Sequence, residues 1–221
     1  MESKIISYDA KNFIRRILSA ILFIPFIIVP IIFKGYLLYL FYIFLLSLMV
    51  AELIDMSKIS KKKTFIYSYI LICVLTVFTF ILSISSSGNE SLKIIEIILI
   101  IWIFDTFCYF GGKIFNGKKL MPKISKGKTF NGLYTGIVVT LMVSSLYYSE
   151  IQEASYMFLL LVVPIIILSF LGDLIVSVLK RSVNIKDSGY IMPGHGGIID
   201  RMDSFIFVFF FFGFYSIIFL R

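Results

Sequence analysis

An all-α fold of about seven membrane-spanning helices, with the N-terminus in the cytoplasm, is what this sequence predicts. Three observations carry that prediction. The 221 residues are 59% hydrophobic and only 15% charged, whereas soluble chains carry about 25% charged residues. The apolar residues fall into runs close to the roughly 20 residues needed to cross a bilayer. Lys and Arg gather in every second gap between those runs rather than evenly along the chain. So much apolar surface cannot be hidden in one globular core, which excludes a water-soluble enzyme, a disordered chain and a secreted disulfide scaffold. The two cysteines, Cys73 and Cys108, both lie inside apolar runs, so neither a disulfide framework nor a zinc site is expected. The net charge of +8 reads as a topology signal and not as affinity for nucleic acid.

The first span is Ile17 to Phe33, behind Arg15 and Arg16. A cleaved leader starts in the same way, but Pro25 and Pro30 stand where its small-residue cleavage site would be. After the short Lys34-Gly35 link comes Tyr36 to Ile54, then Phe65 to Ile84, which ends in a polar turn at residues 85–90. The fourth span is Ile94 to Phe110, the fifth Leu133 to Tyr148, the sixth Tyr156 to Leu179 and the last Phe205 to Leu220. No sequence repeat relates them, and residues 1–221 read as a single membrane domain. With the N-terminus inside, 18 of the 21 Lys and Arg residues lie on the cytoplasmic side, and Lys34, Lys93 and Arg221 lie outside. Cytoplasmic loops accumulate Lys and Arg, so this orientation is the expected one.

Acids inside spans are costly and usually mark a cavity or a site. Glu52, Asp55, Asp105 and Asp173 each stand late in a span that runs from outside to inside, so all four lie toward the cytoplasm. Glu52 and Asp55 directly precede a Lys-rich loop and read first as interfacial acids paired with its lysines. Asp173 is the only charge between Pro164 and Leu179. Ser177, Lys180 and Arg181 follow it at spacings of four, seven and eight, so the four share one helix face over roughly 12 Å. A carboxylate for a metal followed by cations for phosphates suits a nucleotide site. A helix-end salt bridge has the same spacing.

Two loops on the cytoplasmic side are chemically dense. Residues 111–132 alternate five glycines with six lysines, and Ser125 and Thr129 add hydroxyls. Glycine lets backbone N–H groups point at an anion, so the loop can cradle phosphates or lie on anionic headgroups. Neither GxxxxGK[ST] nor a GxGxxG turn occurs. Residues 177–203 bring together Asp187, Asp200 and Asp203 with Lys180, Arg181, Lys186, Arg201 and the single histidine, His195. Residues Pro193 to Gly197 demand a tight non-helical turn, and irregular backbone at membrane depth belongs where it lines a cavity or is buried in protein. Asp200 and Asp203 suit a hard cation, which prefers oxygen ligands. They equally suit a helix start.

Taken together, these residues resemble the signature of the phosphatidate cytidylyltransferase (CDP-diacylglycerol synthase) family. The pattern S-x-apolar-K-R, K-D-x-small, H-G-G-apolar-x-D-R-apolar-D is met by Ser177, Lys180, Arg181, Lys186, Asp187, Gly189, His195, Gly196, Gly197, Asp200, Arg201 and Asp203. Gly172-Asp173-Leu174 fits the family's G-D-L. Asp105, Tyr109, Gly112, Lys113, Gly117, Pro122, Ser125, Lys128, Thr129 and Gly132 fit its other loop. Lys126 stands where the family commonly has Pro, and Val176 where it often has Glu. The resemblance covers about residues 100–210, so that residues 1–93 hold the first three spans and 94–221 a cytidylyltransferase-like catalytic region.

The resemblance implies cytidylyl transfer from CTP to phosphatidate, giving CDP-diacylglycerol and pyrophosphate. It implies Mg²⁺ or another divalent cation, with room for a second cation, in the bacterial inner membrane with the active site facing the cytoplasm. The partners implied are CTP, phosphatidate and the lipid bilayer, with no nucleic acid, and a homodimer is compatible with a membrane enzyme of this size. Asp173 and Asp200 are the first metal-ligand candidates, then Asp203 and Asp187. Lys180, Arg181, Lys186 and Arg201 would neutralise the phosphates. Ser125, Lys128 and Thr129 would close over the triphosphate, with Asp105, Lys113, Ser177, Gly196 and Gly197 lining the substrate site. His195 would hold the glycine turn or hydrogen-bond a phosphate. Three other readings share some of these features. A cation-coupled transporter also carries intramembrane acids but near mid-bilayer, a CTP-dependent lipid kinase differs in product, and a membrane scaffold leaves the polar signature unexplained. A CDP-alcohol phosphotransferase would need a D-G-x-x-A-R run, which is absent.

Overall fold

The computed structural model describes residues 24–25, 27–33, 35–86, 90–151, 157–191 and 196–219. Residues 27–33 are helical, and Gly35, with φ +66°, turns the chain into α1 (Gly35–Ile59). Then come α2 (Lys63–Ser86), α3 (Glu90–Ile114), the strands β1 (Lys119–Met121) and β2 (Ser125–Thr129), α4 (Phe130–Ile151), α5 (Met157–Ser182) and α6 (Ile199–Phe219). Among the described residues, five helices are long and apolar enough to cross a membrane: Gly35–Ile59, Lys63–Leu82, Leu92–Ile114, Phe130–Ser149 and Leu159–Ser182. The multi-helix membrane class is therefore as the composition predicts. The start of the first predicted span, residues 17–23, lies outside the described residues.

The helices run past the apolar stretches that announced them. The last one begins at Ile199 and not at Phe205, so Asp200, Arg201 and Asp203 stand on its first turns. The run of eight apolar and aromatic residues from Phe205 to Phe212 marks where lipid begins. The backbone ladder extends further because N–H and C=O groups still need partners there. The loop between the fourth and fifth predicted spans is also more ordered than its Gly and Lys content suggests, since it folds into an antiparallel hairpin of β1 and β2.

α6 packs against α2 and α5, α1 packs on α2, and α3 pairs with α4 while also touching α5. Rings tie the first group together. Tyr42 of α1 meets Phe80 of α2 edge to face at 4.6 Å, and Phe80 meets Phe209 of α6 at 4.9 Å. Such pairs add to ordinary apolar contact. The α3–α4 pair relies on small residues instead. Gly132 and Gly136 form a G-x-x-x-G face on α4, and a Cβ at Gly132 would stand 2.5 Å from the Cys108 carbonyl of α3. Glycine lets the two backbones come this close, which is how helices associate where lipid supplies no hydrophobic drive. Large apolar side chains such as Leu71, Phe78, Leu146 and Leu160 remain exposed on the outer surface, as expected of a lipid-facing rim.

Candidate active site

Asn116 and Gly117 adopt φ of +49° and +110° in the link that leaves α3 and leads into β1; Gly117 is the residue type that accepts such a φ without strain. The hairpin itself turns at residues 122–124, where the Ile124 N–H donates to the Met121 carbonyl at 3.1 Å. The strands pair Lys119 with Thr129 and Met121 with Ser125. The Phe130 N–H then donates to the Lys118 carbonyl at 3.0 Å. Thr129 ends the hairpin as the N-cap of α4, its Oγ1 accepting the Gly132 N–H at 3.1 Å, the role for which a hydroxyl residue is favoured at that position. β2 packs on α3 and α4, so Lys128 projects from a fixed wall.

That wall bounds a cleft of about 1120 Å³. Its other sides are α3, α5, the start of α6 and the 183–191 loop; Asp105, Asp173 and Asp203, from three different helices, line it. Gly172 permits this meeting, because a side chain there would overlap the Asp203 carbonyl. The three carboxylates are close enough to feel one another's charge. Lys128 crosses from β2 to Asp173 at 2.7 Å and lies 5.0 Å from the centre of the Phe170 ring. Ser177 donates to Asp173 at 3.4 Å, as their four-residue spacing predicts. The Asp203 Oδ1 accepts the Ser204 N–H at 2.9 Å.

Asp200 has a separate set of partners. Its Oδ1 takes the Lys180 ammonium at 2.5 Å, and its Oδ2 takes the N–H groups of Ser188 at 2.8 Å and Gly197 at 3.1 Å. Burial pushes this carboxyl's pKa up, but the Lys180 ammonium and the two N–H donors outweigh it, so it sits below the usual carboxylate range. Asp200 lies ahead of the apolar run of α6. Arg181 does not reach into the cleft as a free cation. Its Nε donates to the Ile124 carbonyl at 3.1 Å and an Nη to the Ile185 carbonyl at 2.8 Å, which ties the hairpin turn to the loop after α5.

Most of the residues read from the sequence meet in this one cleft. Asp105, Lys113, Ser125, Lys128, Thr129, Asp173, Ser177, Lys180, Arg181, Lys186, Asp187, Asp200 and Asp203 all line it. Three do not. Gly196 and Gly197 lie behind Asp200, with Gly197 buried, and Arg201 is half-buried away from the lining. The Gly197 N–H is directed at the Asp200 carboxylate. His195 lies outside the described residues. Among the described residues no three His, Cys, Asp or Glu side chains converge tightly enough to enclose one ion.

Glu52 corrects the interfacial reading made for it. Asp55 does pair with Lys58 at the surface, at 2.6 Å. Glu52 is instead 6% exposed and accepts from the Ser188 hydroxyl at 2.9 Å and the Ile198 and Ile199 N–H groups at 2.9 and 3.1 Å. A signal was present in the sequence. Met49 and Met56, three residues before it and four after it on the same helix face, are both buried. It could not be used because α1 is apolar nearly all round, so no stripe marks the inner face. Ser188 and Ser204, both buried at the site, were missed because isolated serines carry no pattern. Val176, at the position where the resembled family often has Glu, lies fully buried in the core.

Comparison with known proteins places this geometry. Residues 61–219 match the cytidylyltransferase family. A phosphatidate cytidylyltransferase of Rickettsia felis is 35% identical over 209 residues, covering 90% of this chain and 89% of the relative. One of Rickettsia bellii is 36% identical over 207 residues, covering 89% and 87%. One of Bacillus subtilis is 45% identical over 112 residues, covering 50% of this chain and 42% of the relative. Since the match spans the hairpin, the acid-lined cleft and the signature loop alike, the chain belongs to the cytidylyltransferase family.

Proposed function

We propose that this chain transfers the cytidylyl group of CTP to phosphatidate, releasing pyrophosphate and leaving CDP-diacylglycerol in the membrane. The observation that carries this reading is a cleft in which Asp105, Asp173, Asp200 and Asp203 stand among Lys113, Lys123, Lys128, Lys180 and Lys186. It lies at the ends of helices apolar enough to sit in lipid. The attacking group is a phosphate oxygen that is already ionised near neutral pH, so no strong general base is required. It forms a bond to the α-phosphorus of CTP. The bond from that phosphorus to the oxygen bridging to the β-phosphorus breaks, and pyrophosphate leaves with the electron pair. Bringing two polyanions together is the main obstacle, and catalysis of such transfers rests on positioning and electrostatics.

The lysines of the hairpin, Lys128 above all, hold the triphosphate from one wall. Lys180 and Lys186 neutralise phosphate charge from the other. Arg181 keeps the two walls at a fixed separation. The donors at Asp173 and Asp203, with Asp105 beside them, are hard oxygens of the kind Mg²⁺ prefers, and Asp200 is the further candidate. A bound divalent cation would neutralise charge on the phosphates and polarise the α-phosphorus. The 18-to-3 division of Lys and Arg supports a cytoplasmic N-terminus and a cleft open to the cytoplasm, where CTP is available; seven spans in a bacterial inner membrane complete this reading.

The test is conversion by the detergent-purified protein of phosphatidate and CTP labelled at the α-phosphate, with Mg²⁺ and with EDTA. The expected product is a lipid-soluble label that appears only with the divalent ion. Label reaching lipid only from the γ-phosphate would make the protein a kinase. No lipid label from folded protein would refute group transfer altogether.

A further inference from the structure

We propose that Glu52 is a positioning residue for cytidylyl transfer, holding the loop and helix start that aim Asp200 and Lys180 into the cleft. This role rests on the cytidylyl-transfer reading of the cleft. Glu52 belongs to α1, and the family match begins only at residue 61, so it stands outside the matched segment. Its carboxylate nevertheless lies under the signature loop. One oxygen accepts the Ile198 N–H, and the other accepts the Ile199 N–H and the Ser188 hydroxyl.

These contacts lead directly to the site. The Ser188 Oγ lies 2.9 Å from Glu52 and 3.1 Å from Asp200, while the Ser188 N–H donates to Asp200 at 2.8 Å. Ile199 begins α6, one turn before Asp203, and Ile198 directly precedes it. Glu52 thus fixes the residue before Asp200 and, through Ser188, one face of Asp200. Asp200 in turn holds Lys180. The loop is shaped to admit the carboxylate. A Cβ at Gly189 would stand 2.7 Å from Glu52 Oε1, and one at Gly197 would overlap both the Ser188 hydroxyl and the Glu52 carboxylate. Gly189 and Gly197 therefore serve the fit over Glu52.

A buried carboxylate accepting two backbone N–H groups has a strict requirement for acceptor oxygens. Glu52→Gln keeps size and shape but turns one oxygen into a donor facing N–H or O–H donors. Outer partners that orient metal-ligating groups typically carry roughly 10- to 100-fold in activity, which, with Asp200 a candidate ligand, sets the expected loss. The fall should appear in kcat per folded molecule, with KM for CTP little changed, because the hairpin lysines still hold the nucleotide. Ser188→Ala removes only the bridge and should act in the same direction with a smaller loss. Asp55→Asn, three residues further on and at the surface, should leave turnover unchanged.

The experiment measures kcat and KM for CTP on detergent-purified wild type and these variants, normalised to folded protein by size exclusion. Amide hydrogen exchange of the 196–200 segment is followed in parallel. Faster exchange at Ile198 and Ile199 together with the kcat-selective loss is the expected result. If Glu52→Gln does not fold, Ser188→Ala decides by the same two readouts. Wild-type turnover in the folded variants, or unchanged exchange, overturns the inference while the functional reading stands. An inactive wild type overturns that reading and this role with it.

Discussion

Replacing Asp200 by Asn, Lys180 by Met, and both together separates the pair's contribution to folding from its contribution to chemistry. The two side chains are 8% and 14% exposed, and the Nζ and Oδ1 atoms are 2.5 Å apart. Removing one member leaves the other charged and largely out of water. For buried pairs that loss is about 3–5 kcal/mol, and the remaining exposure puts the expectation at the lower end, about 3 kcal/mol for either single variant. Removing both charges leaves nothing unpaired, so the double variant should be more stable than the summed losses predict. The measurement is denaturant unfolding of the detergent-purified proteins, read as a double-mutant cycle. Losses that add to within about 0.5 kcal/mol, as independent sites do, would refute the coupling. Turnover should not return in the double variant, because the cleft then lacks both a carboxylate and a phosphate-neutralising cation. The same pair fixes an acid limb. Because the Asp200 carboxyl is held below its ordinary value, its stabilisation is fully present above about pH 4. It is lost as pH falls through the folded value, and Asp200→Asn should flatten that limb.

Other perturbations bear on different parts of the structure. Asp173→Asn should abolish Mg²⁺-dependent turnover in protein that elutes and unfolds like wild type; near-normal rates would remove Asp173 from the metal and site assignment. Arg181→Lys keeps the charge but cannot donate to the Ile124 and Ile185 carbonyls from one planar group. A fall of about tenfold in kcat/KM, equivalent to about 1.4 kcal/mol, is expected, and an unchanged value would mean the tie between the two walls is dispensable. Gly132→Val drives a side chain against the Cys108 carbonyl and the Gly112 backbone. Overpacking of this kind costs about 1–3 kcal/mol or more, seen as a lower unfolding midpoint, whereas an unaffected midpoint would mean α3 and α4 can separate freely.

The sequence alone determined the solvent of this chain, the number and rough limits of its apolar runs, and the chemical content of two loops. These properties are local or additive. Apolar surplus, Lys and Arg position, and a dense signature such as Ser177 to Asp203 can all be read without knowing which helices touch. Most of the cleft lining was therefore legible, from Asp105 through Lys128 and Asp173 to Asp203. What only the tertiary structure decided is how those groups are partnered. Asp200 could be named as a metal ligand from its type, but its pairing with Lys180 depends on how α5 and α6 cross. Arg181 could be named as a phosphate cation, yet it spans two backbone carbonyls that lie 57 and 4 residues away in the chain. Glu52 and Asp55 looked alike because both precede the same lysines. The packing of α1 turned one toward water and the other under a loop 136 residues further on. A helix that is apolar on every side does not declare which face is protein and which is lipid. In a bilayer, where hydrophobicity no longer distinguishes inside from outside, that choice is made by close packing and by the hydrogen bonds of the few polar groups present.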